Sequence, residues 1–179
     1  MKKIIIIIII ILLIVPVYIL IFSDGKLSYI TEVEINSNID HVIELFDDAD
    51  NLKEYFPEMK ERELISGIDK EVGATYKIVA TTTEGSDKRM EMMETIIKRD
   101  LPNELSSLYT ANGVENIVRN KFISISDDKT KVVNESEFLF NGYMKIFSKF
   151  FPSIFKNQTS LYMNNFKDFA EKDYSSSKE

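Results

Sequence analysis

The chain has 179 residues, 29 Asp and Glu against 22 Lys and Arg, one His and no Cys, for a formal net charge of −7. Without cysteine there are no disulfides, no thiol nucleophile and no thiolate metal site, so stability has to come from packing. With Lys2 and Lys3 set aside, 20 basic residues face 29 acidic ones, a charge of about −9 that makes nucleic acid a poor partner and opposes adhesion to anionic lipid.

The first element is unlike the rest. Nineteen uncharged residues run from Ile4 to Phe22, beginning with eight consecutive isoleucines, close to the ~20 that a helix needs to cross a bilayer. In water such a run is a poor helix and an aggregation hazard, whereas lipid satisfies its side chains and the helix satisfies its own backbone. A cleaved signal peptide would have a shorter apolar core and small residues at the cleavage site, but the exit here reads Tyr18-Ile-Leu-Ile-Phe-Ser-Asp24. Residues 1–25 are therefore read as an uncleaved single-pass anchor, ahead of a cleaved signal or a buried core segment. Lys2 and Lys3 precede the span while Asp24 and Lys26 nearly cancel after it, which predicts a cytoplasmic N-terminus and an extracytoplasmic domain. What remains suffices for one domain with its own core, expected over 26–173, with a disordered tail at 174–179.

Tyr29, Thr31, Val33 and Ile35 alternate with more polar neighbours, the pattern of a first strand. Ser37 or Asn38 can cap a short helix with Ile39, Val42, Ile43 and Phe46 on one side and Asp40 in its first turn. A second short helical stretch through Leu52 and Tyr55 is stopped by Phe56-Pro57. Strand patterns follow at 59–66, 73–83, 89–99, 104–111, 114–126 and 130–140, divided by turns such as 67–73, 83–87, 100–103 and Asn112-Gly113. These connections are too short for crossover helices, so the sheet is expected to be antiparallel. A long aromatic helix from about Tyr143 to Lys172 closes the chain, with Pro152 either kinking it or starting it after a separate turn over 144–151.

The segment VEINSNIDHVIELFDDADNLKEYFP, with Val42, Phe46, Asp50, Tyr55 and Pro57 at the matching places, resembles the START-like (SRPBCC) superfamily, in particular its polyketide cyclase/dehydrase and lipid-transport branch. DKEVGATYKI and KTKVVNESEFLF are similar to that family's turn into the third strand and its strand before the last helix. Ile39 departs from the proline that the family often has there. The resemblance implies an α+β helix-grip fold: a curved antiparallel sheet of about seven strands around the C-terminal helix, preceded here by the transmembrane helix. It also implies a mostly apolar cavity between sheet and helix, the family's usual ligand site. Alternation in the strands and the aromatic spacing of the last helix make Tyr76, Ile78, Met90, Met92, Tyr109, Phe138, Phe140, Phe155, Tyr162 and Phe166 the candidate cavity residues. Core packing alone would give the same pattern.

Catalytic constellations are sparse. His41 is the only histidine and reads as solvent-exposed. Glu94 is the one weak catalytic candidate: Met90, Met92, Glu94 and Ile96 place a carboxylate on an otherwise apolar face, unless Met93, Thr95 and Ile97 point inward instead, and Arg119 is a conceivable partner. Glu135 and Glu137 read as a solvated outer face. No metal site and no cofactor are expected. The leading reading is a membrane-tethered, monomeric binding module for a lipid or other hydrophobic small molecule. The alternatives are a cyclase, dehydratase or hydrolase using the same pocket, and an envelope interaction domain. A buried carboxylate with a second polar group in reach would favour the enzyme, a dry cavity of several hundred Å³ the carrier, and a collapsed cavity beside an exposed apolar patch the interaction domain.

Overall fold

A computed structural model describes residues 2–82 and 85–177. Helix α1 (Lys2–Phe22) comes first. The domain then runs β1 (Lys26–Ile35), α2 (Ile39–Asp47), a 3-10 turn (Ala49–Asn51), α3 (Leu52–Tyr55), β2 (Met59–Ser66), β3 (Thr75–Thr81), β4 (Arg89–Asp100), β5 (Glu104–Ala111), β6 (Val114–Ser126), β7 (Lys129–Phe140), α4 (Met144–Phe150) and α5 (Pro152–Ser176). The seven strands form one antiparallel sheet in the order β1-β7-β6-β5-β4-β3-β2. Only the β1–β2 connection leaves the meander, and it carries α2 and α3 across to the far edge.

Local chemistry explains the boundaries. Asn38 is the cap of α2, its side-chain oxygen accepting the His41 N–H at 2.9 Å, while Ser37 is buried. Phe56-Pro57 ends α3. Pro152 sits in the first turn of α5 and separates it from α4, where its fixed φ suits a helix start and its missing N–H costs nothing. Strand β3 is shorter than the expected 73–83, and part of the 83–87 turn lies outside the described residues. Helix α5 runs to Ser176, into the segment expected as a tail, whose residues 178 and 179 also lie outside the described set. His41 corrects its expected exposure. It is mostly covered, with Nε2 3.1 Å from Asp173 and the ring against Tyr174 of α5.

The main core joins the inner sheet face to the helices through Ile35, Val42, Tyr55, Phe122, Val132, Phe166 and Ala170. Phe46 meets Phe122 and Phe166 edge-on, with centroids 5.2 Å apart in both cases. A smaller cluster of Ala74, Tyr76 and Ile96 packs with Leu105 toward the β2 edge. Helix α1 lies outside the core and touches the domain at α4: none of its residues is buried, and it is long and apolar enough to cross a membrane, a property that a signal sequence shares.

Candidate functional site

Between the inner face of the sheet and α5 lies a cavity of about 580 Å³. Ile78 of β3, Met90 and Met92 of β4, Tyr109 of β5 and Phe138 of β7 line the sheet side; Phe155, Tyr162 and Phe166 line the α5 side, and Phe46, Leu52 and Phe56 close it from the α2–α3 segment. Eight of the ten candidate residues thus surround one space. Tyr76 and Phe140 do not reach it, although both lie on the predicted face. The Tyr76 ring is buried beneath the Arg62 guanidinium, 3.4 Å from its centroid, and its O–H donates to Asp69 at 2.7 Å while accepting the Lys70 N–H at 2.7 Å. Phe140, at the end of β7, is wholly buried against Phe138 and Phe155.

The alternation Met90, Met92, Glu94, Ile96 is the inward one. Glu94 is 8% exposed and lines the cavity. Its carboxylate accepts from Arg62 Nε at 3.1 Å, Ser107 Oγ at 3.0 Å and Tyr109 O–H at 2.9 Å. Strand register builds this cluster: Glu94 is paired with Tyr109 across β4–β5 and with Tyr76 across β3–β4. Burial pushes the Tyr109 phenol well above its ordinary range, and the neighbouring Glu94 charge adds to the effect. Burial works against the Arg62 charge, but attraction to Glu94 and the hydrogen bond donated to it outweigh this, so the guanidinium holds its proton more tightly than usual. Arg119 is not the partner. It lies on the outer face with Glu137 at 2.8 Å, beside a Lys121–Glu135 pair at 2.6 Å.

A second charged group stands at the α2 side of the cavity, where both nitrogens of the Arg99 fork donate to Asp47 at 2.6 and 2.8 Å and Lys70 approaches at 3.4 Å. Burial disfavours the Asp47 carboxylate, but Arg99 and Lys70 outweigh it and hold its pKa below the ordinary value. Across the sheet, Asn134 donates to Asn120 and Ser136 to Asn134, both at 2.8 Å. Asn116 Oδ1, beside Tyr109 in the β5–β6 register, is buried without a hydrogen-bond partner among the described residues. The lining is therefore more polar than expected. Arg62 and this asparagine stripe were missed because β2 reads as a solvated strand and Asn has no periodic signature. Ser107, two residues before Tyr109, lies on the same face of β5 by the period of two. Among the described residues no cluster of three or more His, Asp or Glu side chains is placed to hold a metal.

Solved structures share this fold. An aromatase/cyclase from Streptomyces aligns with a TM-score of 0.66 at 11% identity, over 82% of this chain and 94% of its own. A conserved protein from Geobacillus kaustophilus aligns with a TM-score of 0.66 at 16% identity, over 82% and 96%. The chain has the START-like helix-grip fold. Norcoclaurine synthase from Thalictrum flavum, in complex with dopamine and hydroxybenzaldehyde, shares the helix-grip fold at a TM-score of 0.62 and 15% identity, over 82% of this chain and 87% of its own. No protein-family model and no curated protein matches the sequence.

Proposed function

We propose that this protein is a membrane-tethered binding module that holds a lipid or another hydrophobic small molecule between its sheet and α5. The observation that supports it most is the cavity: about 580 Å³, walled largely by Met, Ile and aromatic side chains, within the volume range of small-molecule sites. Met90 and Met92 add adaptable, polarizable surface suited to irregular apolar ligands. The Glu94 cluster is a polar spot on that wall whose two carboxylate oxygens are already engaged by Arg62, Ser107 and Tyr109. Native mass spectrometry of the full chain in mild detergent tests the reading. An apolar molecule is expected to co-purify, and Phe138→Trp, which fills the space with a larger ring, is expected to lower occupancy about tenfold, ~1.4 kcal/mol, with the melting temperature held. An empty cavity in both proteins, or occupancy indifferent to the larger ring, overturns it.

One observation favours a second reading. Glu94 is buried in the cavity with a phenol, a hydroxyl and a guanidinium in hydrogen-bond reach, the arrangement of an acid–base site in a cyclase- or dehydratase-like enzyme. Two proteins with similar folds are enzymes by name. Glu94→Gln keeps the shape and removes the titratable proton. The binding reading expects unchanged ligand retention. A large fall in turnover of a candidate substrate, measured where the variant is still fully folded and with retention unchanged, would make the enzyme the better description.

A further inference from the structure

The helical segment between β7 and the body of α5 turns large apolar side chains to the outside: Tyr143 is 70% exposed, Phe150 55%, Phe151 51%, Ile154 47% and Phe147 38%. A patch of five such residues on one continuous segment is a contact surface rather than scattered exposure. Its place in the fold says what covers it. Lys145 Nζ donates to Ser23 O at 3.1 Å, immediately after α1 ends at Phe22, and Gly25 O accepts the Phe140 N–H at 2.8 Å just before α4. The patch thus begins where α1 ends. Tyr18 and Phe22, with ring centroids 4.8 Å apart, bring two more aromatic rings to that end of α1.

Charge agrees with this placement. From Phe138 to Lys167 the chain has thirty residues without one Asp or Glu, a stretch that at its overall density of acids would hold about five, and it includes Lys145, Lys149, Lys156 and Lys167. The strongly acidic domain is free of acids along this stretch, so the repulsion that keeps the rest of its surface from lipid is absent here. Aromatic rings interleaved with lysines are what the headgroup layer accepts, rings at the acyl boundary and ammonium groups toward phosphate.

We infer that the aromatic face formed by α4 and the first turn of α5 lies in the interfacial layer of the bilayer that α1 crosses. The inference rests on the tether proposed above. Ile154 and Met144 of this segment also line the cavity, so docking places one edge of the cavity at the lipid surface and opens a route for ligand between bilayer and pocket. The surface belongs to the membrane rather than to a second copy of the chain because it is continuous with the end of α1, which any second copy would have to share with lipid.

The chain has no tryptophan, so one introduced indole reports alone. Full-length Phe150→Trp and Tyr143→Trp proteins, both altered at exposed positions, are reconstituted into phosphatidylcholine vesicles brominated on their acyl chains. Ile125→Trp is the control: it is 46% exposed and lies near the far end of β6, whose Val114 end pairs with Phe140, ~35 Å away along the strand. Emission of the first two proteins is expected to fall at least twofold against unbrominated vesicles, with no change for Ile125→Trp. Quenching of the patch variants no greater than that of the control, in protein that still floats with vesicles, overturns the docked face and leaves the anchor standing. Covering by a second copy would give that same result. Protein that fails to float with vesicles overturns the tether and the docked face with it.

Discussion

Glu94 would be costly to bury alone, and three side chains from two other strands make it tolerable. Removing one partner of such a buried pair costs ~3–5 kcal/mol, because the other charge stays behind. Tyr109 carries the consequence for pH. Its phenol, buried beside the Glu94 carboxylate, holds its proton in the folded chain well above the ordinary value of 10.0. Above about pH 10 the unfolded chain therefore releases a proton that the folded chain keeps, and stability falls by up to ~1.4 kcal/mol per pH unit for this group. Below pH 10 the contribution is fully present. Denaturant titrations of Tyr109→Phe between pH 8 and 11.5 are expected to show a shallower alkaline decline than the parent, along with a lower plateau from the lost hydrogen bond. An unchanged slope would mean that Tyr109 ionises as if exposed. Tyr55, also raised by burial and by Glu94, keeps the decline from vanishing altogether.

Helix α5 decides whether the sheet has a core at all. Phe166 and Ala170 are buried on it, Met163 and Phe169 pack against the same cluster, and Asn165 donates to Tyr55 O at 3.4 Å, tying α5 to α3. Truncation at Asn141 deletes α4 and α5 and exposes the inner sheet face. Phe166, the buried aromatic of the two helices, is worth ~3 kcal/mol or more, and with Ala170, Met163 and Phe169 its loss removes much of the ~5–15 kcal/mol that holds a domain together. The truncated chain is expected to lack a cooperative melt by circular dichroism, and a sharp transition would show α5 to be an accessory. The junction ahead of β1 is equally specific. Gly25 has φ of +70°, and a Cβ there would stand 2.2 Å from Phe140 O, so only glycine joins α1 to the domain without moving β7.

At the scale of the whole molecule, the proposed tether and the acidic domain would act against each other everywhere except at the acid-free segment beside α1. With the tether in place, the full chain is expected to pellet with membranes and to resist carbonate extraction, whereas residues 26–179 should stay in the supernatant. Protease added to spheroplasts should digest the domain, as the lysines ahead of α1 predict an extracytoplasmic location. Full protection of the domain in a membrane-bound chain would reverse the topology while leaving the anchor intact.

Much of this architecture is written locally. The apolar run of α1, the Asn38 cap, the strand alternation with its intervening turns and the Pro152 helix start depend on neighbours in sequence, so β2, β5 and β6 have the ends that their pattern predicts. Which side chains share a side was legible for the same reason, since a period of two fixes it, whereas the pattern leaves the inward side of β4 open between Glu94 and Thr95. Depth was not. Tyr76 and Phe140 share the inner face with Ile78 and Phe138, but a sheet-spanning cavity has ends, and where it ends depends on α5 and on Arg62 lying over the Tyr76 ring. The partner of Glu94 was equally hidden. Arg119 and Arg62 both sit in strands that carry other charged side chains, and only the order β6-β5-β4-β3-β2 with its registers turns one outward to Glu137 and brings the other 32 residues along the chain to the buried carboxylate. Such non-local pairings are set by strand order and twist, which no local pattern encodes, so the sequence alone determined the elements and which side chains share a side, while the tertiary structure decided which side of β4 turns inward, the cavity's limits and the chemistry on its wall.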